Sequence, residues 1–161
     1  MKLILIGLSL TLLLIFGGVF FITKTNNRAS LAGNQTTQVT VDKTSFDWGE
    51  IGINNGKVQA EFSLTNSGQA PLQLANISTS CMCTTAQVVI EGKVSPYFGM
   101  MQKSSWTGQV EPGKSAKLIV EFDPAFHGPQ GVGQITRQVV LETNDTNQKQ
   151  LTFNLTANVK N

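Results

Sequence analysis

The sequence predicts an all-β fold, an antiparallel β-sandwich of about seven strands preceded by one N-terminal transmembrane helix. Three observations lead to this prediction. An apolar run opens the chain, apolar and polar residues then alternate with a period of two, and turn residues separate the alternating segments at short intervals. Successive side chains of a strand point to opposite faces, so this alternation is typical of strands with one buried face.

The first element is an almost unbroken apolar run over residues 3–22. A helix of about 20 residues spans about 30 Å, the thickness of the hydrocarbon core of a bilayer. The apolar region of a cleaved signal peptide is usually shorter, about 7–15 residues. We therefore interpret residues 1–24 as a signal-anchor transmembrane helix, with a cleaved signal as the alternative. The short N-terminal flank favours a single-pass protein of the cell membrane whose C-terminal domain lies on the external side, periplasmic or extracellular.

Residues 25–38 are rich in Asn, Thr, Ser, Gly and Ala, which predicts a polar linker. Residues 39–161 suit one domain. The chain has a net charge of +2, but without Lys2, Lys24 and Arg28 its 12 basic residues fall to 9 against 10 acidic ones. The domain has no basic stripe, so it lacks the usual signature of nucleic-acid binding.

Strand patterns follow one another through the domain. The segments with this pattern are residues 39–42, 58–64, 72–77, 87–90, 118–122, 135–141 and 151–157. The turn signals between them include Asn55-Gly56, Asn66-Ser67-Gly68, Pro112-Gly113 and Asn144-Asp145. Short strands at this spacing favour a sandwich.

Residues 91–111 form a long connection without a clear strand. Connections of this length inside a compact domain are usually functional or disordered. This one contains Tyr97, Phe98, Met100, Met101 and Trp106. Such side chains seek burial, which argues against disorder.

The two cysteines of the chain, Cys81 and Cys83, are separated by Met82 alone. Thiolate and thioether sulfurs favour Cu(I), so our first hypothesis is a copper(I) site. In an extended segment the two thiols point to one face and Met82 to the other, so both thiols bind one ion only if the segment bends. The candidate metal ligands are Cys81, Met82, Cys83, Met100, Met101 and His127.

Two alternatives to the metal site stay open. A disulfide across one residue closes a small ring, and strained disulfides are labile, which favours a thiol–disulfide redox accessory protein. Against this, the sequence shows no neighbouring cation that would lower the pKa of a thiol. The other alternative is a purely structural pair, bonded or buried, in a protein–protein interaction domain. A zinc site is disfavoured because the chain lacks four closely spaced ligands.

Sequence motifs of enzymes are missing from the chain. It has one histidine and no nucleophile elbow, phosphate-binding glycine loop or H-E-x-x-H motif. We therefore expect no enzyme activity and no catalytic residue. Sandwich domains with an exposed edge bind extended partners by strand addition. We predict a binding or accessory module with a protein partner that the sequence does not identify.

Several motifs carry a family resemblance. They are Phe46-Asp47-Trp48-Gly49-Glu50-Ile51, the strand and turn from Phe62 to Gly68, Ser80-Cys81-Met82-Cys83-Thr84, Glu111-Pro112-Gly113-Lys114 and Asn144-Asp145. Together they resemble the bacterial extracytoplasmic domain of unknown function 1573 family, of the Cys-Gly-Cys-Thr motif type. The resemblance implies an immunoglobulin-like sandwich of the sperm-protein and chaperone type, located outside the cytoplasm. It implies no established biochemical role.

The chain departs from this family at Met82, where glycine is usual. Glycine permits a positive φ at little cost, whereas methionine does not. Met82 therefore restricts the backbone conformations that the turn between the cysteines can adopt, and it adds a soft sulfur to the segment.

Overall fold

The computed structural model describes residues 7, 9, 11–13, 28–100 and 104–161. From residue 28 onward, its described part has ten β-strands and one short 3-10 helix, Gly128–Gly131. The strands are β1 Val39–Val41, β2 Ser45–Gly52, β3 Val58–Asn66, β4 Leu72–Thr79, β5 Thr84–Ile90, β6 Lys93–Val94, β7 Thr107–Val110, β8 Ser115–Phe122, β9 Gly133–Thr143 and β10 Gln150–Lys160. The domain is therefore all-β, as predicted.

The strands form two five-stranded sheets with one hydrophobic core between them. Sheet 1 has the order β1-β3-β8-β5-β6 and sheet 2 the order β2-β10-β9-β4-β7. The described strands pair antiparallel with one exception, the parallel pair of β10 and β2. The predicted sandwich is confirmed, with a mixed sheet rather than a purely antiparallel one.

The core lies between the inward faces of the sheets. In β3, buried Ala60, Phe62 and Leu64 alternate with more exposed residues, which is the period-2 pattern of the sequence. Phe62 of sheet 1 and Phe153 of sheet 2 meet across the core, with ring centroids 4.7 Å apart. A smaller cluster closes one end of the sandwich and consists of Ile53, Cys83, Phe122, Ile135, Ala157 and Val159. The cysteine pair belongs to this end.

The sequence pattern does not predict three of the strands, β2, β6 and β7. β2 lies at a sheet edge and is only half-buried, so its apolar alternation is weak. β6 has two residues and follows a turn in which Glu91 and Gly92 have φ values of 48° and 80°. Such two-residue turns are usually signalled by Asn-Gly or Asp-Gly, and glutamate hides the signal here. β7 lies within the predicted long loop and pairs with β4.

The described part of the predicted polar linker contacts the domain. Arg28 forms an ion pair with Glu142, and the N–H of Asn34 donates to the carbonyl of Asn144 at 2.7 Å. Thr37 is buried. Residues 28–38 are therefore tied to the turn between β9 and β10.

Most of the predicted transmembrane helix, residues 1–24, lies outside the described residues. Residues 7, 9 and 11–13 are helical. Within the part of the chain that the structure describes, no helix has both the length and the hydropathy needed to cross a membrane.

Candidate functional site

The Cys81-Met82-Cys83 segment is a tight turn that carries the chain from sheet 2 to sheet 1. β4 ends at Thr79 and β5 begins at Thr84. The N–H of Thr84 donates to the carbonyl of Cys81 at 3.2 Å. The hydroxyl of Thr79 lies 3.0 Å from the carbonyl oxygens of Cys81 and of Thr84. These bonds bend the segment, which is the condition for both sulfurs to meet.

The two sulfurs do meet. The Sγ atoms of Cys81 and Cys83 lie at disulfide distance, and the Cα atoms are 5.3 Å apart. Met82 points away from them, with 66% of its surface exposed. The non-glycine residues with positive φ among those described are Asn76 and Glu91, so Met82 makes this turn without the backbone conformation that favours glycine.

His127 reaches the pair from the segment that follows β8. The N–H of Asp123 donates to the carbonyl of Cys83 at 2.9 Å, so the start of this segment is attached to the cysteine turn. The Asp123 carboxylate accepts the N–H of Ala125 at 3.0 Å and shapes the next turn. The exposed imidazole then lies with Nε2 3.2 Å from the Sγ of Cys81.

Arg137 reaches the other sulfur from β9. Its Nε–H donates to the Sγ of Cys83 at 3.1 Å. The guanidinium also lies over the ring of Phe122, with Cζ 5.5 Å from the centroid, and Trp48 stacks on the same phenylalanine. Burial lowers the pKa of Arg137 from its ordinary value, but a guanidinium keeps its charge throughout the range in which proteins are folded. A fixed positive charge therefore faces Cys83.

The two cysteines differ in their surroundings. Cys83 is 3% exposed and belongs to the small core cluster, and its Sγ lies 3.7 Å from the hydroxyl of Thr84. Cys81 is half-buried and lies next to exposed His127. Phe126, 48% exposed, stands edge-on to that imidazole. One sulfur thus faces the interior and the other a partly apolar surface.

The structure brings together three of the six candidate metal ligands. The ligand atoms of Cys81, Cys83 and His127 all lie within 4.8 Å of one another. Met82 points outward, and Met100 lies in the loop after Phe98 with 39% of its surface exposed. Met101 lies outside the described residues. The ligand roles of these methionines stay predictions.

Arg137 is the site residue that the sequence analysis misses. Arg137 lies 54 positions beyond Cys83, so the sequence around the cysteines does not point to it. A signal was present nevertheless. In β9 the residues that share a face with Arg137 are Ile135, Val139 and Leu141, which are buried. An arginine at an inward-facing strand position needs a partner, and that requirement could have singled it out.

The arrangement has the parts of a thiol–disulfide couple. Thiols beside Arg or protonated His have a lowered pKa, because the positive charge stabilises the thiolate. Cys83 has such a neighbour in Arg137, and the imidazole of His127 lies within hydrogen-bond distance of the Sγ of Cys81. Reduction of the pair would also leave two thiolate ligands and one imidazole on the same side of the turn.

Comparison with known proteins supports this fold and the family resemblance. Residues 39–96 match the family model described as "Protein of unknown function (DUF1573)". The predicted family resemblance is confirmed over this segment. The segment contains the Phe46-to-Ile51 motif and the cysteine turn, whereas His127 and Arg137 lie beyond it. No curated protein matches the sequence.

Solved structures with a similar fold come from distant proteins. A protein of unknown function from Porphyromonas gingivalis W83 has a TM-score of 0.58 and 21% identity, over 80% of this chain and 50% of that one. This chain thus spans about half the length of that protein. The ASH/PapD-like domain of human CEP192 has a TM-score of 0.50 and 16% identity, over 81% of this chain and 90% of that one. At these identities the likeness concerns the fold, an immunoglobulin-like or PapD-like sandwich.

Proposed function

We propose that this protein is an extracytoplasmic interaction module, anchored in the membrane by its N-terminal helix, that carries a redox-active cysteine pair. Cys81 and Cys83 exchange between dithiol and disulfide with the cysteines of a partner protein. The proposal assigns the module no hydrolytic activity. Its external location rests on the apolar run at residues 3–22 and on the family resemblance. Disulfides persist in such compartments.

The observation that carries this proposal is the pairing of each sulfur with a nitrogen group. Arg137 Nε lies 3.1 Å from one sulfur and His127 Nε2 3.2 Å from the other. A disulfide that only staples a fold gains nothing from a cation, because the bonded sulfurs carry no charge. A thiolate does gain, so the cation favours the reduced form and makes the disulfide easier to reduce.

A protein partner fits the surface around the pair. Met82, next to Cys81 in the turn, and Phe126, against the imidazole of His127, are large apolar side chains that remain exposed. Exposed apolar residues gathered at a chemically competent site are typical of contact surfaces. The PapD-like sandwich supports the same class of function, since such domains offer sheet edges and corners to other chains.

Redox titration of the full-length protein tests this function. The protein is equilibrated in glutathione or dithiothreitol buffers of graded potential, and free thiols are counted by alkylation and mass spectrometry. We expect a reversible two-electron transition above about −300 mV, because structural disulfides lie below about that value. A pair that stays oxidised down to that potential would be structural, and the proposed exchange would be wrong.

The matched control is the Cys81→Ser, Cys83→Ser double variant. It should show no transition and the same circular dichroism as the wild type. A variant that keeps only one of the two cysteines should trap a partner as a mixed disulfide. If the double variant does not retain that partner, the bond to sulfur holds it, and the sandwich surface does not.

A second candidate function is Cu(I) binding by the reduced pair. The observation that favours it is the group of Cys81, Cys83 and His127, whose ligand atoms lie within 4.8 Å of one another. Thiolate and imidazole both bind Cu(I), and the soft thiolates prefer it. Met100 and Met101 would add to this set only if the loop brings their sulfurs to the turn, and Met82 only if its exposed side chain folds back onto the sulfurs.

Competition titration tests the copper site. The reduced full-length protein is titrated with Cu(I) against a chromogenic chelator, together with His127→Ala and the double cysteine variant. We expect one tight site that is lost with the cysteines and weakened with His127→Ala. Equally weak binding by wild type and double variant would exclude the copper function without touching the redox function.

A further inference from the structure

We propose that the two cysteines have different roles in the exchange: an incoming thiolate attacks Cys81, and Cys83 leaves as a thiolate held by Arg137. The inference rests on the proposed function, because it assigns roles within the same couple. It makes Cys81 the sulfur that forms the mixed disulfide with the partner and Cys83 the sulfur that leaves. It also makes Arg137 the group that stabilises the departing sulfur.

Access distinguishes the two sulfurs. Cys83 is 3% exposed and packs in the cluster with Phe122 and Ile135. Cys81 is half-buried, and its neighbours His127 and Met82 are exposed. An attacking thiol must approach the sulfur it attacks, so exchange begins at the sulfur that solvent can reach.

The neighbouring charge also distinguishes the two sulfurs, and like access it makes Cys81 the attacked sulfur and Cys83 the leaving one. The sulfur that leaves carries the negative charge, and a better stabilised thiolate leaves faster. Arg137 donates Nε–H to Cys83, and the neighbouring Thr84 hydroxyl lies 3.7 Å from the same Sγ. The guanidinium is held in place over Phe122. The bond is partly buried, and charge-assisted hydrogen bonds are stronger where water is excluded.

The exchange balances in two steps. The thiolate of the partner forms a bond to the Sγ of Cys81, the Cys81–Cys83 bond breaks, and its electron pair stays on Cys83. A second thiolate of the partner then attacks the partner sulfur of the mixed disulfide and releases Cys81 as a thiolate. Two electrons pass to the module, and the partner leaves with its own disulfide. The substrate class is therefore a dithiol protein, and in the reverse direction a protein disulfide.

The position of the first adduct tests this inference. The oxidised full-length protein is mixed with reduced glutathione as the probe, quenched in acid at early times, alkylated and mapped by mass spectrometry. We expect glutathione on Cys81 and the alkyl group on Cys83 in about ten times as many molecules as the opposite pattern, since exchange rates follow access and leaving-group stability. Equal labelling, or glutathione mainly on Cys83, would overturn the inference and leave the redox function standing.

Arg137 is tested by its conservative and its neutral variants. Glutathione should cleave the disulfide of Arg137→Gln about ten times more slowly than that of the wild type, since the lost bond is to a charged sulfur. The reduction equilibrium should shift toward the disulfide by a similar factor, equal to about 30 mV for two electrons. Arg137→Lys, which keeps the charge, should recover part of both effects.

The outcomes separate the two claims. An unchanged rate and equilibrium in Arg137→Gln, with its circular dichroism intact, would overturn the role of Arg137. If the variant does not fold, the adduct map of the wild type still decides which sulfur is attacked. If no buffer above about −300 mV reduces the wild-type pair, the proposed function fails and this inference fails with it.

Discussion

At the scale of single residues, a few buried polar side chains hold the backbone where the sheets leave it unpaired. Asp145 is fully buried in the turn between β9 and β10. Its carboxylate accepts the N–H of Val39 at 2.9 Å and that of Asn147 at 2.8 Å. The Asn144-Asp145 turn of the sequence is therefore also the attachment point of β1. Among the described residues, no buried side-chain nitrogen or oxygen lacks a hydrogen-bond partner.

Asp145→Ala should destabilise the domain by about 1–3 kcal/mol, because it leaves a buried N–H of Val39 without an acceptor. Urea unfolding followed by circular dichroism measures the loss. Asp42→Ala is the matched control: Asp42 also accepts a backbone N–H, that of Ser63 at 2.8 Å, but it is exposed. In the control variant, water can accept the hydrogen bond in place of the lost carboxylate. The free energy of unfolding should therefore fall much less than in Asp145→Ala. Similar losses in both variants would contradict the role given to burial.

At the scale of elements, charged pairs lie along the outer face of sheet 1. Lys57, just before β3, bonds Glu121 of β8 at 2.8 Å, and Glu61 of β3 pairs with Lys117 of β8 at 2.9 Å. The hydrogen bond from Lys57 lowers the pKa of Glu121 below its ordinary value of 4.5 and outweighs the opposing effect of burial. Opposite charges on paired strands support their register.

The stability that Glu121 contributes should be lost in acid. A carboxyl whose pKa is lower in the folded state contributes stability above its unfolded pKa and loses it as the pH falls through the folded value. In Glu121→Gln the free energy of unfolding should therefore depend less on pH below about 4.5 than in the wild type. Chemical unfolding at a series of pH values and at low salt measures this, since salt screens exposed pairs. An unchanged acid slope would mean that Lys57 does not bind Glu121 in solution.

Elements also determine where the sulfurs lie. β4 and β5 belong to different sheets, so the chain must turn through the end of the sandwich between Thr79 and Thr84. β8 ends beside this turn, and the segment after it carries His127. β9 passes the same end and presents Arg137. The turn between β4 and β5, the segment after β8, and β9 itself thus supply one group of side chains.

At the scale of the whole molecule, the sandwich core rather than the disulfide carries the stability. The main cluster joins both sheets, with Phe62 and Phe153 in contact at its centre. The disulfide bridges positions two residues apart. Loop-closure entropy for so short a loop amounts to at most about 2 kcal/mol. The fold can therefore persist in both redox states, which a couple that exchanges electrons requires.

The reduced protein should remain folded. Full-length protein with and without dithiothreitol, and the Cys81→Ser, Cys83→Ser variant, should give the same β-sheet circular dichroism at 25 °C and cooperative melting, with a loss of at most about 2 kcal/mol. Thermal and urea unfolding of the three samples measure this. Unfolding upon reduction would identify the disulfide as a structural staple and would speak against a redox couple.

The order of apolar and polar residues was enough to predict most of the architecture. The alternation in β3, β8, β9 and β10 corresponds to buried and exposed faces, because a strand with one face on a core must repeat every two residues. Weakly patterned β2, two-residue β6 and β7 could not be predicted in this way. Their place comes from pairing with neighbours, such as the parallel pair of β2 and β10, which is distant in sequence.

The sequence by itself determined the all-β class and the family resemblance, and it singled out Cys81 and Cys83. Local rules suffice for these, since they depend on periodicity, turn residues and adjacent motifs. Only the tertiary structure decided that the cysteines meet, that His127 faces one sulfur and that Arg137 faces the other. Strand order brings these residues together over 46 and 54 positions of sequence. Such contacts depend on how the sheets pair, and no local pattern encodes them.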